Sequence, residues 1–345
     1  MCSVGVSDSM GHERGRHREP DPRSFVSAWT EKDLLDGKVV DSFVVIFRTT
    51  GCYWARSGGC SMCGYVFDTS LDVSEDDLMH QLKTAGEKHQ GQPVTKIFTS
   101  GSFFDEHEVP PQFRKAVLKE FGGKSRKVLV ETLAPFTKKE LVEEALSFCD
   151  KFEVAFGLES ATPAVLKYSV NKPFGLEQHV KAALIVHDCG GSVKTYLLVK
   201  PPFLTEREAV EDAVTSAEKV ADCSDTISFN PVNVQRGTLV ERLWRRGQFR
   251  PPWLWSVTEV LTRARRLKPR VMSDPTAAGL PRGAHNCGEC DATLATAIRD
   301  FSLRLRQDFG GIDCECVQRW LDTLELEGPL QASLNMDALL DRMKW

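Results

Sequence analysis

The 345-residue chain lacks any apolar run long enough to cross a membrane, and its first stretch, MCSVGVSDSMGHERGRHREPDPR, lacks the apolar core of a signal peptide. It therefore reads as cytoplasmic, with no membrane partner. An excess of positive charge is also missing. The 44 Lys and Arg stand against 48 Asp and Glu, a formal balance of −4, which excludes a uniformly basic coat for nucleic acid but not a local patch. A disulfide framework is poorly served by eleven cysteines in a long unsecreted chain, and seven of them fall in two groups with metal-ligand spacing.

The first of those groups lacks a fourth cysteine. GCYWARSGGCSMCGY (51–65) supplies Cys52, Cys60 and Cys63, whereas a structural zinc ordinarily takes four ligands. Either a distant residue completes the set, or the site keeps an open position. The plain alternative is a packing Cys52 beside a zinc pair, Cys60 and Cys63. Three thiolates can also hold three irons of a four-iron cluster and leave the fourth exchangeable, whereas an electron-carrying cluster takes four cysteines.

From residue 42 onward, short β-branched and aromatic runs alternate with helical patterns, the signature of a parallel sheet with crossover helices. The runs are SFVVIFRT, VTKIFTS, RKVLVET, FEVAFGLES, VKTYLLVK and DTISFN. Six β-α repeats predict an α/β fold, a partial (β/α)6 barrel, with functional groups in the loops at the carboxyl ends of the strands. Polar groups recur there: the cysteine loop, Ser100-Gly101-Ser102, Glu131, Glu159, Lys200 and Asn230. Residues 1–38 read as a mobile polar arm with one short helix near SAWTEKDLLDG, residues 39–235 as the barrel, and 236–345 as a smaller, mostly helical metal-binding region.

That last region holds two further features. HNCGECD and DCECV place Cys287, Cys290, Cys314 and Cys316 at near-zinc spacing, beside His285, and the spacer ATLATAIRDFSLRLRQDFGG reads as one amphipathic helix joining the pairs. Zinc is the expected metal; an auxiliary iron–sulfur cluster would use the same thiolates. Between residues 236 and 270, ten Lys or Arg oppose two Glu, a local balance of +8. Arg242, Arg245, Arg246, Arg250, Arg263, Arg265 and Arg266, interleaved with Trp244, Trp253 and Trp255, suit phosphate contacts and stacking on unpaired bases of RNA; the alternative is a solvated helical face over core tryptophans.

The C-x7-C-S-M-C-G-Y motif at the end of the first strand resembles the radical S-adenosylmethionine (SAM) superfamily, in the branch with the elongator-type and tRNA-methylthiolating enzymes, although the commonest superfamily gap is three residues rather than seven. VAFGLESATPAVLKYSVNKPF (154–174) is similar to the fourth-strand segment of that branch. The resemblance implies a 4Fe-4S cluster on Cys52, Cys60 and Cys63, and SAM contacted by Glu159 and by Ser100, Gly101 and Ser102, which stand where the branch has Gly-Gly-Glu. It implies reductive SAM cleavage to a 5′-deoxyadenosyl radical inside the barrel.

LLVKPPFLTEREAVEDAV, SFNPVNVQRGTLVERLW, RPPWLW and HNCGECD resemble the radical SAM subunit family of archaeosine synthase over roughly residues 40 to 320. That implies tRNA as a partner, together with a lysine-transferring subunit that attaches lysine to the nitrile of a 7-deazaguanine. The radical enzyme then breaks the bond between the lysine chain and its ε-nitrogen, leaving archaeosine. Another RNA-modifying radical enzyme, such as a methylthiotransferase, or a non-catalytic zinc-stabilised RNA-binding protein are the other readings.

Overall fold

Residue alternation sets the sheet: along each strand, one set of side chains packs under helices and the other faces the barrel interior. The computed structural model describes residues 21–330, so residues 1–20 of the expected arm and 331–345 lie outside the described residues. Eight strands run in sequential order, β1 (Ser27–Leu35), β2 (Lys38–Ile46), β3 (Val94–Phe98), β4 (Lys127–Thr132), β5 (Lys151–Glu159), β6 (Ser192–Val199), β7 (Thr226–Pro231) and β8 (Arg270–Ser273). β1 pairs antiparallel with β2, and β2 through β8 are parallel.

The crossovers are α1 (Glu75–Lys88), α2 (Pro111–Gly122), α3 (Lys139–Leu146), α4 (Leu176–Asp188), α5 (Glu206–Val220), and the pair α6 (Leu239–Arg245) and α7 (Leu254–Ala264). They cover the outer face, where Phe43, Val45, Ile97, Val128, Val130, Phe152, Val154, Val193, Leu197, Ile227 and Val271 join one apolar core. α8 (Asp291–Ser302) and α9 (Cys316–Leu330) complete the C-terminal region. The α/β partial barrel is thus present, with two strands beyond the six read from the sequence.

The expected helix near SAWTEKDLLDG is instead β1. Asp36 and Gly37 both take positive φ, 51° and 76°, and form the two-residue turn that favours a hairpin between Leu-Leu and Lys-Val. The spacer helix is also shorter than expected: α8 stops at Ser302, and Arg304 takes a left-handed φ of 58°. Thirteen residues of loop, 303–315, then return the chain toward α9.

Charge closes the barrel's floor. Lys96 on β3 pairs with Glu31 at 2.7 Å and Asp33 at 2.8 Å on β1, and Arg270 on β8 reaches Asp33 at 3.3 Å, so the two edge strands face each other across the seam. Burial raises the Asp33 carboxyl, but Lys96, Lys194 and Arg270 together outweigh it and hold it well below the usual carboxylate range. Lys96→Met is expected to cost about 3–5 kcal/mol, because it strips a buried carboxylate of its nearest cation. Urea unfolding checks this. A depressed carboxyl contributes stability that is present above its unfolded pKa, near ~4, and is lost as pH falls toward its folded value; Lys96→Met shrinks that acid-side loss.

Candidate active site

The loop after β2 is held from two sides. Its seven-residue gap contains a short helical turn, Trp54–Ser57. Trp54 Nε1 donates to the Asn171 carbonyl at 2.7 Å, Asn171 Nδ2 donates to the Gly59 carbonyl at 2.7 Å, and Ser61 N donates to the Val170 carbonyl at 2.9 Å. These partners come from the β5–α4 connection, where a π-helical turn ends on Asn171 at φ 60°. From the other side, Gly64 N donates to Gln235 Oε1 at 2.6 Å and Val240 N to the Ser61 carbonyl at 3.2 Å. The long gap therefore spans to a neighbouring loop and pins both ends of the motif.

Burial raises all three thiols of the loop, Cys63 to about 11 and Cys60 higher still. Cys60 and Cys63 are raised further by the neighbouring thiols and by Glu159, and Lys172 opposes the rise. Thiols so placed become ligands only when a metal centre supplies positive charge.

Gly101 brings the loop after β3 against the cysteines. A Cβ there would stand 2.6 Å from Cys52 Cα and 2.2 Å from Glu108 Oε2, so only glycine allows this approach. Glu108, 2% exposed, joins the two loops: it accepts from Ser102 N at 2.6 Å and from Thr49 Oγ1 at 2.7 Å. Burial still pushes its carboxyl up to about 7. Ser102 Oγ is committed to the end of β4, bonding Thr132 Oγ1 and accepting from Leu133 N. Ser100 is buried beside them.

Glu159 ends β5 after a register shift, at a left-handed φ of 74°, a conformation costly for a residue with a Cβ. Its Oε1 accepts from Lys172 Nζ at 2.8 Å, and the Lys172 side chain is 5% exposed. Gly157 makes room for the pair, since a Cβ there would lie 2.6 Å from Glu159 Oε1 and 3.2 Å from Lys172 Nζ. A buried ammonium facing the thiols is thus anchored by the carboxylate of Glu159. Lys200 and Asn230 are bound within the fold: Lys200 pairs with fully buried Glu206 at 2.6 Å, and Asn230 Oδ1 accepts from Ser228 Oγ at 3.0 Å.

The second group converges completely. The Sγ atoms of Cys287, Cys290, Cys314 and Cys316 lie within 4.8 Å of one another, and among the described residues the three thiols of the first loop do not meet that spacing with one another. Measured separations are 3.9 Å for Cys287–Cys290 and 3.5 Å for both Cys287–Cys314 and Cys290–Cys316. Trp255 Nε1 donates to Cys316 Sγ at 3.2 Å and Asn286 Nδ2 to Cys290 Sγ at 3.3 Å. The backbone amides of Cys290 and Glu289 lower the Cys287 thiol to about 7. His285 is outside the set; its Nδ1 lies 2.8 Å from the Gly283 carbonyl.

The basic stretch is divided by the fold. Arg242 and Arg245 on α6 and Arg246 just after it follow the strand-end loop that touches the cysteine motif. Arg263, Arg265 and Arg266 lie at the far end of α7, which runs back some ~16 Å toward the start of β8. Arg263 is clasped by Glu211 at 2.6 and 2.8 Å. Arg250 stacks at 4.1 Å on Trp253 and donates to the His285 carbonyl, and Trp255 is buried against the four-cysteine group.

Archaeosine synthase subunit beta of Methanosarcina acetivorans is 45% identical over 320 residues, which cover 90% of this chain and 92% of that one. The chain belongs to the archaeosine synthase subunit beta family. The subunit beta of Thermococcus kodakarensis is 40% identical over 307 residues, 85% of this chain and 94% of its own. No protein-family model matches. Solved structures similar to this family member include the archaeal Elp3 of Methanocaldococcus infernus (TM-score 0.47, 18% identity, covering 70% of this chain and 59% of that chain) and a methylornithine synthase (TM-score 0.48, 14% identity, covering 66% and 63%). Among the described residues, no helix is long and apolar enough to cross a membrane.

In this member of the archaeosine synthase subunit beta family, the fold brings Cys52, Cys60, Cys63, Gly101 and Glu159 to one rim. Two residues at that rim, Glu108 and Lys172, went unread in the sequence. Lys172 carried a weak signal, as one of two cations, with Lys167, in the connection that follows Glu159. Glu108 carried none, because its partner Thr49 is 59 positions away.

Proposed function

We propose that this chain is a radical SAM enzyme of tRNA modification acting on a lysine-substituted 7-deazaguanine: hydrogen is taken from the lysine carbon bonded to the ε-nitrogen, that carbon gives one electron to a one-electron acceptor and takes up water, and the C–N bond then breaks to release the chain as an aldehyde and leave the amidine of archaeosine. The observation that carries this reading is the meeting of a three-thiol loop, a glycine-tight second loop and the Glu159–Lys172 pair at the carboxyl ends of the strands, in a chain whose relatives are named archaeosine synthase subunit beta.

Cys52, Cys60 and Cys63 would hold a 4Fe-4S cluster; their thiols are spread more widely than a single ion requires, and buried Lys172 offsets negative charge beside them. With SAM bound, the cluster supplies a hydrogen-abstracting radical at this rim. The chain's own residues do the rest. The backbone of Ser100 and Gly101 and the carboxylate of Glu159 orient SAM, Glu108 holds the two loops in register, and the sheet walls exclude water.

Cys287, Cys290, Cys314 and Cys316 would hold one zinc. A tetrahedron with Zn–S bonds of ~2.3 Å has edges of about 3.8 Å, matching the 3.5–3.9 Å separations. Thiols on the separate irons of a cluster lie farther apart. The relatives' name, archaeosine synthase subunit beta, supports a partner subunit, which this reading takes to be the lysine-transferring one. Arg242, Arg245 and Arg246 adjoin the rim and suit tRNA phosphates there, whereas Arg263, Arg265 and Arg266 lie away from it. Replacing Arg245 and Arg246 together by Ala is expected to weaken tRNA binding and to reduce the salt slope by about 1 per lost contact, while Arg265→Ala with Arg266→Ala changes neither; filter binding across a salt series reads both.

Anaerobic incubation with SAM, reductant and lysine-modified tRNA, followed by mass spectrometry of nucleosides, tests the reading. Archaeosine should replace the lysine adduct. Active SAM cleavage with unchanged tRNA would keep the radical chemistry and discard this substrate.

A further inference from the structure

Below the rim, the inner face of the sheet is charged rather than apolar. Val193, Leu197 and Val199 of β6 belong to the outer core, so Lys194 and Tyr196 face inward. The cations there are nearly all matched: Lys96 with Glu31 and Asp33, Arg270 with Asp33, and Lys127 with Glu153 at 2.7 Å. Lys194 is not. It is 7% exposed and makes no ion pair among the described residues; its ammonium rests 5.2 Å from the Tyr196 ring centroid.

An acid on the same face is equally unmatched. Glu131 on β4 is bonded by Tyr196 and has no cation in ion-pair contact among the described residues. Register places Glu131 beside Ala155 and Ala155 beside Lys194. The two charges therefore stand two strands apart, about 9–10 Å at the Cα level, across a floor of small residues: Ala155, with Gly157 and Ser228 flanking Tyr196. Burial pushes the Glu131 carboxyl up to about 7 against the Tyr196 hydrogen bond and the charges of Lys194 and Lys172, and it pushes the Lys194 ammonium down to about 8, with Lys96 adding to the fall and Asp33 and Glu153 opposing it.

An opposite-charge pair held too far apart to neutralise itself complements a zwitterion. We infer that Lys194 and Glu131 are the two poles of a subsite for the free amino-acid end of the substrate, Lys194 receiving its α-carboxylate and Glu131 its α-ammonium. This rests on the proposed function, in which lysine is linked through its ε-nitrogen and leaves the α end free. Depth agrees. Glu159 pairs with Leu197, three residues above Lys194, or about 10 Å along β6, which an extended lysine chain of roughly 6 Å plus the Lys194 side chain bridges. The pair would thus select an α-amino acid over a simple alkylamine on the modified base.

The test compares tRNA carrying lysine, lysinamide or 6-aminohexanoate adducts, the last two lacking the carboxylate charge and the α-ammonium. Wild-type protein should turn over the lysine adduct on the order of 10²-fold better in kcat/KM than either analogue. Lys194→Met should lose the preference for lysine over lysinamide, chiefly through KM, and Lys194→Arg should retain it. Glu131→Gln should lose the preference over 6-aminohexanoate. Melting temperature and iron content check the folding of each variant. Equal turnover of lysine and lysinamide adducts by wild-type protein overturns the assignment whatever the variants do, as does an unchanged preference in a folded Lys194→Met protein; both leave the proposed function standing. No turnover of any adduct despite active SAM cleavage overturns the proposed function and this subsite with it.

Discussion

Cys60→Ala, reconstituted anaerobically, should contain little iron or sulfide and cleave SAM at least ~10³-fold more slowly than wild-type protein, a loss of about 4 kcal/mol in transition-state stabilisation. The size follows from the position. Cys60 lies between Cys52 and Cys63 in charge interaction with both, and Lys172 and Glu159 face it. Removing one of three thiol ligands leaves a cluster without an anchor rather than with a weaker one. Zinc should remain at one per chain, because the four-cysteine group lies on other elements and is closed by its own hydrogen bonds from Trp255 and Asn286. Iron, zinc and sulfide analysis of the same sample reads both sites. Loss of zinc in Cys60→Ala would show that the two sites are not independent.

Gly101→Ala should be the most damaging change that replaces no thiol. Its Cβ would meet Cys52 Cα at 2.6 Å and Glu108 Oε2 at 2.2 Å. The first contact is with backbone, which cannot rotate away, so the Ser100–Ser102 loop and the cysteine loop must part. Overpacking of this kind costs about 1–3 kcal/mol in stability. The functional loss should be larger than that suggests, with SAM affinity falling at least ~10-fold while iron content persists, since the thiols themselves are intact. Gly91→Ala is the comparison: at φ 84° it carries the strain of a left-handed backbone but meets nothing within 4 Å. It should lower the melting temperature slightly and leave SAM binding unchanged. Equilibrium SAM binding and thermal unfolding of the two variants separate the effects.

The sheet was legible where residues are fully buried on one side, as in SFVVIF and VTKIF, because β-branched and aromatic runs leave few alternatives. β1 was not, since SAWTEKDLL carries charges on the inner face, and its decisive signal is the Asp36-Gly37 turn rather than the strand itself. β8 is only four residues long and follows a basic run that masks it. Of the site, the cysteines were readable because spacing along the chain is spacing in the loop. Glu131 was readable as a strand-end carboxylate, whereas Glu108, Lys172 and Lys194 meet their partners on other strands and loops, which spacing does not encode. The basic stretch shows the opposite failure: charges adjacent in sequence are separated because α7 carries half of them to the other end of the barrel.

Under the proposed function, hydrogen leaves the lysine carbon bonded to nitrogen at the rim built by Cys52, Cys60, Cys63, Gly101 and Glu159. The direct measurement is mass spectrometry of 5′-deoxyadenosine after reaction with tRNA whose lysine adduct carries deuterium on that carbon. Deuterium in the 5′-deoxyadenosine, together with archaeosine in the tRNA, is the predicted result. Archaeosine formed without any deuterium transfer would contradict it.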